Sequence, residues 1–116
     1  MSFLSWATGC FSPRGRALSL YRRGMIKAKR DDSLGAINDY TAAIGFADLP
    51  KDVKAMLLYN RALAFVAIGD NQKGGSDLDS LLAMAEAPVN VKTMARQKLA
   101  RMEARTEREE ASASRR

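Results

Sequence analysis

The sequence repeats itself at a fixed offset of 38 residues. The run Leu-Tyr-Arg-Arg-Gly at 20–24 recurs as Leu-Tyr-Asn-Arg-Ala at 58–62. The same offset relates six further pairs: Asp32 and Asp70, Asp39 and Asp77, Ile44 and Leu82, Pro50 and Pro88, Val53 and Val91, and Lys54 and Lys92. An offset that holds over this many positions indicates two copies of one structural unit. Because repeats of this kind build their core between neighbouring units, we expect a stack.

Each unit is predicted to be a hairpin of two helices. Apolar side chains return every three or four positions, as at Leu34, Ile37, Tyr40 and Ile44, which is the period of a helix with one buried face. No segment alternates with the period of two that marks a strand. We therefore expect an all-α fold with five helices, over about residues 16–30, 33–49, 51–68, 71–87 and 89–108.

Turn residues set these boundaries. Asp32 or Ser33 can cap the second helix, and Gly69 ends the third. Pro50 and Pro88 separate one unit from the next, since proline interrupts a helix interior. Gly74-Gly75 lies inside the predicted fourth helix, where each glycine costs about 1 kcal/mol relative to alanine. Either that helix begins near Ser76 or close packing offsets the cost, and the second hairpin is expected to be the softer one.

The order of small and aromatic residues in the unit follows a known pattern. The first unit has a small residue, an acidic turn, two alanines around an aromatic residue, and a closing proline: Gly24, Asp31-Asp32, Ala36, Tyr40, Ala43 and Pro50. The second unit keeps Ala62, Gly69-Asp70 and Pro88, but has Gly74, Leu78 and Leu81 at the intervening positions. Over about residues 17–105 this order resembles the tetratricopeptide repeat (TPR) family.

That resemblance implies antiparallel helical hairpins stacked as a short right-handed superhelix with a capping helix. It divides the chain into an apolar N-terminal arm or cap (1–15), a helical domain (16–108) and a flexible tail (109–116). Within the domain, the first repeat covers about 17–50, the second about 55–88, and the capping helix 89–108. Two repeats are few, because about three are usually needed for a stable stack, so the open ends of two chains could instead pair as a homodimer.

The resemblance also implies a binding surface. In the family, the first helix of each hairpin lines a concave groove that holds a peptide. The residues that this places in the groove are Tyr21, Arg22, Met25 and Lys29, then Tyr59, Asn60 and Leu63, and then Lys92, Arg96 and Arg101 from the capping helix. Apolar and aromatic surface beside basic groups suits a peptide or partner protein that is acidic and partly hydrophobic. The expected function is non-enzymatic protein–protein interaction.

One subclass of the family holds the C-terminal carboxylate of its ligand in a clamp. Asn60 and the Lys92-x-x-x-Arg96 spacing resemble parts of that clamp. However, Tyr21 and Met25 stand where the first helix of that subclass has Lys and Asn. The other interpretation of Asn60 and Arg61 is structural, as polar residues that tie helices together.

Composition narrows the function classes. The chain has one cysteine, Cys10, and no histidine, so neither an internal disulfide nor an ordinary structural zinc site is expected. No phosphate loop or nucleophile motif is present, and neither an enzyme activity nor a cofactor is expected. A net charge of +6 leaves a basic nucleic-acid-binding protein as an alternative, although the basic residues are not interleaved with aromatics and match no recognised motif. A self-assembling structural module is another.

The first twelve residues are apolar, small and uncharged. They are too few to span a bilayer and lack the basic start of a secretory signal. An apolar cap formed by Phe3, Leu4, Trp6 and Phe11 in a cytoplasmic protein is the prediction. A lipoprotein cleavage site ending at Cys10 and an organelle transit peptide are the alternatives.

Overall fold

A computed structural model of the chain describes residues 13–115. Residues 1–12 of the predicted arm lie outside the described part. The helices are α1 (Pro13–Lys29), α2 (Ser33–Ile44), α3 (Lys51–Ala67), α4 (Asn71–Ala83) and α5 (Val89–Ser114). No described residue belongs to a strand, and the prediction of an all-α fold is confirmed.

The two hairpins, α1–α2 and α3–α4, have the same turn. After α1, the backbone N–H of Asp32 donates to the Lys27 carbonyl at 2.9 Å, around Asp31 with a φ of 63°. After α3, the N–H of Asp70 donates to the Phe65 carbonyl at 2.9 Å. There Gly69 has the positive φ, 86°. A left-handed residue with this bond satisfies the last carbonyls of a helix.

Aspartate begins the second helix of each hairpin. The Asp32 carboxylate accepts from the N–H of Gly35 at 2.9 Å, and the Asp70 carboxylate accepts from the N–H of Lys73 at 3.1 Å. Each bond satisfies one of the free N–H groups at a helix start. The predicted cap at Asp32 is confirmed, and its counterpart lies 38 residues later.

The fifth helix begins as a third copy of the first helix of the unit. Pro50 precedes α3 with a ψ of 144°, and Pro88 precedes α5 with a ψ of 140°. Their carbonyls accept from the N–H groups of Lys54 and Lys92. The described chain therefore consists of two hairpins followed by one unpaired first helix.

Four helix boundaries differ from the predictions by three residues or more. Helix α1 begins at Pro13, so residues 13–15 of the predicted arm are helical, and α2 ends at Ile44, five residues before its predicted end. Helix α4 ends at Ala83, four residues early, because Met84 has an extended backbone with a ψ of 110°. Helix α5 runs to Ser114, so the predicted end at Arg108 is wrong, and residues 109–114 of the predicted flexible tail are helical. An ion pair between Arg105 and Glu109 at 3.0 Å joins successive turns there, as expected for oppositely charged residues four apart.

The core forms two clusters, and each cluster joins a hairpin to the next helix. The buried side chains of the first cluster come from α1, α2, α3 and the loop between them: Ala17, Ala36, Ile37, Tyr40, Ala43, Leu49, Val53, Leu57 and Ala64. Those of the second come from α3, α4, α5 and their loop: Ala55, Leu58, Ala62, Leu78, Leu81, Ala87, Val91 and Ala95. Helix α3 contributes to both, as the central helix of a stack does.

One arginine–aspartate pair ties together the two helices of each hairpin. Arg23 on α1 makes two bonds to the Asp39 carboxylate, at 2.9 and 2.8 Å. Arg61 on α3 makes two bonds to Asp77, at 2.8 and 2.7 Å. Both aspartates are buried, so the guanidinium is what makes burial of the charge tolerable. The structural interpretation of Arg61 is confirmed.

The two adjacent glycines of α4 have different surroundings. The helix begins at Asn71, so both glycines are inside it, and the alternative start near Ser76 is wrong. A Cβ at Gly74 would lie 2.8 Å from Val66 Cγ2 and 3.1 Å from the Ala62 carbonyl oxygen. A Cβ at Gly75 would have only the Met102 methyl group within reach, at 4.0 Å. Close packing therefore explains Gly74 alone.

Candidate functional site

Helices α1, α3 and α5 share one open face, which we call the groove face. Equivalent positions along the 38-residue period are Leu18, Met56 and Met94, then Arg22, Asn60 and Lys98, then Met25, Leu63 and Arg101. At about 100° per residue, these positions fall within about 60° of arc on each helix. None of these side chains is fully buried. The groove face is therefore available to a ligand.

An apolar cavity of about 290 Å³ lies at the N-terminal end of the groove face. Its walls come from all three first helices: Leu18, Tyr21, Asp52, Val53, Met56, Pro88, Asn90 and Val91. Asp52 supplies the one charge among them, and Asn90 is exposed at the rim. A cavity of this size and lining accepts an aliphatic or aromatic side chain.

A basic cleft of about 610 Å³ includes Lys98 and Arg101 of the groove face. It is lined by α5 together with the end of α3 and the start of α4: Val66, Asn71, Lys98, Arg101, Met102, Arg105, Arg108, Glu109 and Ser112. Four of these side chains are cations and one is an anion. Such a lining attracts carboxylates or other anions.

A hydrogen-bonded pair holds α1 and α3 together beside the apolar cavity. The Asn60 amide donates to the Tyr21 hydroxyl at 3.1 Å and to the Met56 carbonyl at 2.8 Å. Burial raises the pKa of the Tyr21 phenol, and the bond from Asn60 acts in the opposite direction. Because both acceptors are protein groups, the amide hydrogens of Asn60 are already used and are not available to a ligand carboxylate.

The predicted groove residues fall into two groups. Tyr21 lines the apolar cavity and Arg101 lines the basic cleft. Arg22, Met25, Lys29, Tyr59, Asn60 and Leu63 lie on or beside the same face of α1 and α3.

Lys92 and Arg96 form the second group, and neither is among the lining residues of the apolar cavity or the basic cleft. By the period, Arg96 corresponds to Leu58, which is buried in the second cluster. The geometry therefore places Arg96 on the side of α5 that corresponds to the α4-facing side of α3, and not on the groove face.

Sequence reasoning missed several lining residues. Leu18, Met56 and Asn90 line the apolar cavity, and Lys98 and Arg105 line the basic cleft. The signal for the basic residues was present, because adding 38 to Asn60 gives Lys98 and adding twice 38 to Lys29 gives Arg105. The Lys-x-x-x-Arg spacing instead favoured Lys92 and Arg96.

Among residues 13–115 there is no group of three side chains suited to hold a metal ion. No helix of the described part is both long and apolar enough to cross a bilayer. Compared with protein-family models, curated proteins and solved structures, the chain matches none.

Proposed function

We propose that this chain is a TPR-type interaction module that binds an extended segment of another protein along the groove face. The 38-residue period supports a repeat architecture of this type. The order of small residues, aspartate caps and prolines supports the same assignment. The apolar cavity on the groove face takes lining residues from all three first helices.

The observation that carries the proposal is the apolar cavity. A cavity whose walls come from three separate helices depends on the stack being assembled, so it is a property of the fold and not of one helix. Leu18, Val53 and Val91 provide apolar walls, and such surface gains free energy when a ligand covers it. Cavities of this kind are the default ligand sites of a fold.

The test is selection from a random dodecapeptide library displayed on phage, followed by binding measurements on the selected peptides. Asn90→Trp blocks the cavity from its exposed rim without removing a core side chain. Asn38→Trp is the matched control, because Asn38 is exposed on α2, away from the cavity. Selected peptides are expected to bind the wild type and Asn38→Trp equally and to bind Asn90→Trp at least tenfold more weakly.

Two outcomes would overturn the proposal. One is a library that yields no peptide binder to the folded wild-type protein. The other is a set of binders that tolerate Asn90→Trp as well as they tolerate Asn38→Trp, since their site would then lie elsewhere.

A further inference from the structure

We infer that the basic cleft is an anion subsite of the groove, and that the ligand is a two-part peptide segment. One apolar side chain enters the apolar cavity, and a group of carboxylates binds Lys98, Arg101 and Arg105 further along. This inference rests on the proposed groove function and adds the chemistry and spacing of the ligand.

The charges of the cleft are largely free for a ligand. Lys98, Arg101 and Arg108 make no ion pair within residues 13–115, whereas Arg105 pairs with Glu109. The other cations near carboxylates, Arg23 and Arg61 among them, are committed to the hairpins. Lys98 is partly buried, so a carboxylate that reaches it is less exposed to water than at an open surface, and its attraction is less screened.

The basic residues also lie in a line that a peptide can follow. Lys98, Arg101, Arg105 and Arg108 are separated by three, four and three positions, so they lie on one side of α5 over about 15 Å. Asn90, at the apolar cavity, lies on that same side. A segment leaving the cavity along the groove face therefore reaches these side chains without crossing the helix.

The lining favours a peptide over a nucleic acid. Val66 and Met102 provide an apolar floor between the cations, which suits a side chain with an aliphatic part. Glu109 lies among the basic residues and repels a continuous polyphosphate, but a peptide can place neutral residues there. No aromatic side chain lines the cleft, whereas binding of single-stranded nucleic acid generally uses aromatic residues to stack bases.

The helix geometry sets the spacing within the ligand. Val91 at the cavity and Arg105 in the cleft are separated by fourteen residues of α5, or about 20 Å. An extended peptide advances about 3.3 Å per residue. The apolar residue and the centre of the acidic group should therefore be about six residues apart.

The experiment uses fluorescein-labelled synthetic dodecapeptides and fluorescence anisotropy on the full chain. The probe has leucine at position 2, glutamate at positions 7, 8 and 9, and serine or glycine elsewhere. Its reversed sequence is measured too, since the groove permits either chain direction. Further probes replace the glutamates by lysines or shorten the spacing to two residues.

Three charge-reversal variants distinguish binding at the basic cleft from attraction to the overall positive charge of the protein. Arg101→Glu and Arg105→Glu change the cleft. Arg96→Glu makes the same change on the same helix outside the cleft. We expect each cleft variant to bind the acidic probe about tenfold more weakly, and Arg96→Glu to bind it like the wild type. The lysine probe should bind Arg101→Glu better than it binds the wild type, and 0.5 M salt should weaken the wild-type complex.

The results that overturn the inference differ from those that overturn the proposed function. Equal losses in Arg96→Glu and Arg101→Glu would overturn the subsite alone. So would library-selected peptides that bind through the cavity with no preference for carboxylates, or an acidic probe that does not bind while such peptides do. Binding of labelled poly(U) RNA that is lost in the cleft variants, with no peptide binding, would replace both proposals with the nucleic-acid alternative.

Discussion

At the scale of single residues, the two hairpins solve one packing problem in two ways. A Cβ at Gly24 would lie 2.6 Å from Tyr40 Cε1, and the Tyr40 ring is buried. In the second hairpin the equivalent residues are Ala62 and Leu78, both fully buried. The narrower leucine side chain coexists with the alanine methyl group. Residues 24 and 40 are therefore a coupled pair.

This coupling can be measured in a double-mutant cycle. Gly24→Ala alone should lower the free energy of unfolding by about 1–3 kcal/mol through overpacking. Tyr40→Leu alone should lower the free energy of unfolding as well, because removal of the buried ring leaves a cavity. The combination, which copies the second hairpin, should be more stable than the sum of the two changes by at least about 1 kcal/mol. Urea unfolding monitored by circular dichroism gives all three values, and simple additivity would show that the residues do not interact.

Replacing each of the two adjacent glycines of α4 by alanine should change the free energy of unfolding in opposite directions. Gly75→Ala should raise the free energy of unfolding by about 1 kcal/mol, because alanine favours the helix and its Cβ meets only the Met102 methyl group. At Gly74→Ala, overpacking against Val66 and the Ala62 carbonyl costs about 1–3 kcal/mol and outweighs the same gain. Thermal unfolding of both variants checks this, and two changes of the same sign would contradict it.

At the scale of helices, each hairpin depends on a buried carboxylate. The hydrogen bonds from Arg23 hold the pKa of Asp39 below its ordinary value, with Lys27 helping and burial acting against them. A carboxyl whose pKa is lower in the folded state adds stability above its unfolded pKa of about 3.9. That stability is lost as the pH falls through the lower, folded pKa.

The ionised Asp39 carboxylate should therefore contribute to stability in a way that depends on pH. Asp39→Asn should be less stable than the wild type at pH 7, and the difference should shrink as the pH falls below about 4. Asp79→Asn is the control, since Asp79 is exposed on α4 and makes no ion pair within the described residues. Urea midpoints between pH 2 and 7 measure the effect. A difference that stays constant with pH would mean that Asp39 acts through its shape and not its charge.

The helices themselves were largely predictable, because the period, the prolines and the aspartate caps are all local signals. The ends of α2, α4 and α5 were not. Proline marks only the start of α5, so nothing local showed that α4 already ends at Ala83. The end of α5 has no glycine or proline, and its helix depends on pairs such as Arg105 with Glu109. The many charges after Arg108 suggested a solvated tail, whereas opposite charges spaced four residues apart stabilise a helix.

At the scale of the whole molecule, the resemblance places the expected groove on the face where the apolar cavity lies, but the sequence did not predict most of the residues that line this cavity. Tyr21 and Arg101 were predicted and line the apolar cavity and the basic cleft. Leu18, Met56 and Asn90 were missed because the cavity forms only where three helices meet, and no single helix signals it. The offset of 38 residues, applied beyond α4, carries the groove positions Asn60 and Leu63 to Lys98 and Arg101.

The two ends of the groove face differ in chemistry. The first helix and α5 are both basic, and the groove face ends in the basic cleft on α5. The apolar cavity lies near the start of all three first helices. A ligand with its apolar and acidic parts at opposite ends is therefore expected to place its apolar end at the start of the first helices, whichever its chain direction.

The proposed binding surface can be observed by titrating ¹⁵N-labelled protein with a library-selected peptide and following the amide chemical shifts. Shifts are expected along one face of three helices: at Leu18 on α1, Met56 on α3, and Asn90, Lys98 and Arg101 on α5. Asn38 and Asp79, on the outer helices, should not move. Shifts concentrated on α2 and α4, with the groove face unchanged, would contradict the central claim that the three first helices form the binding surface.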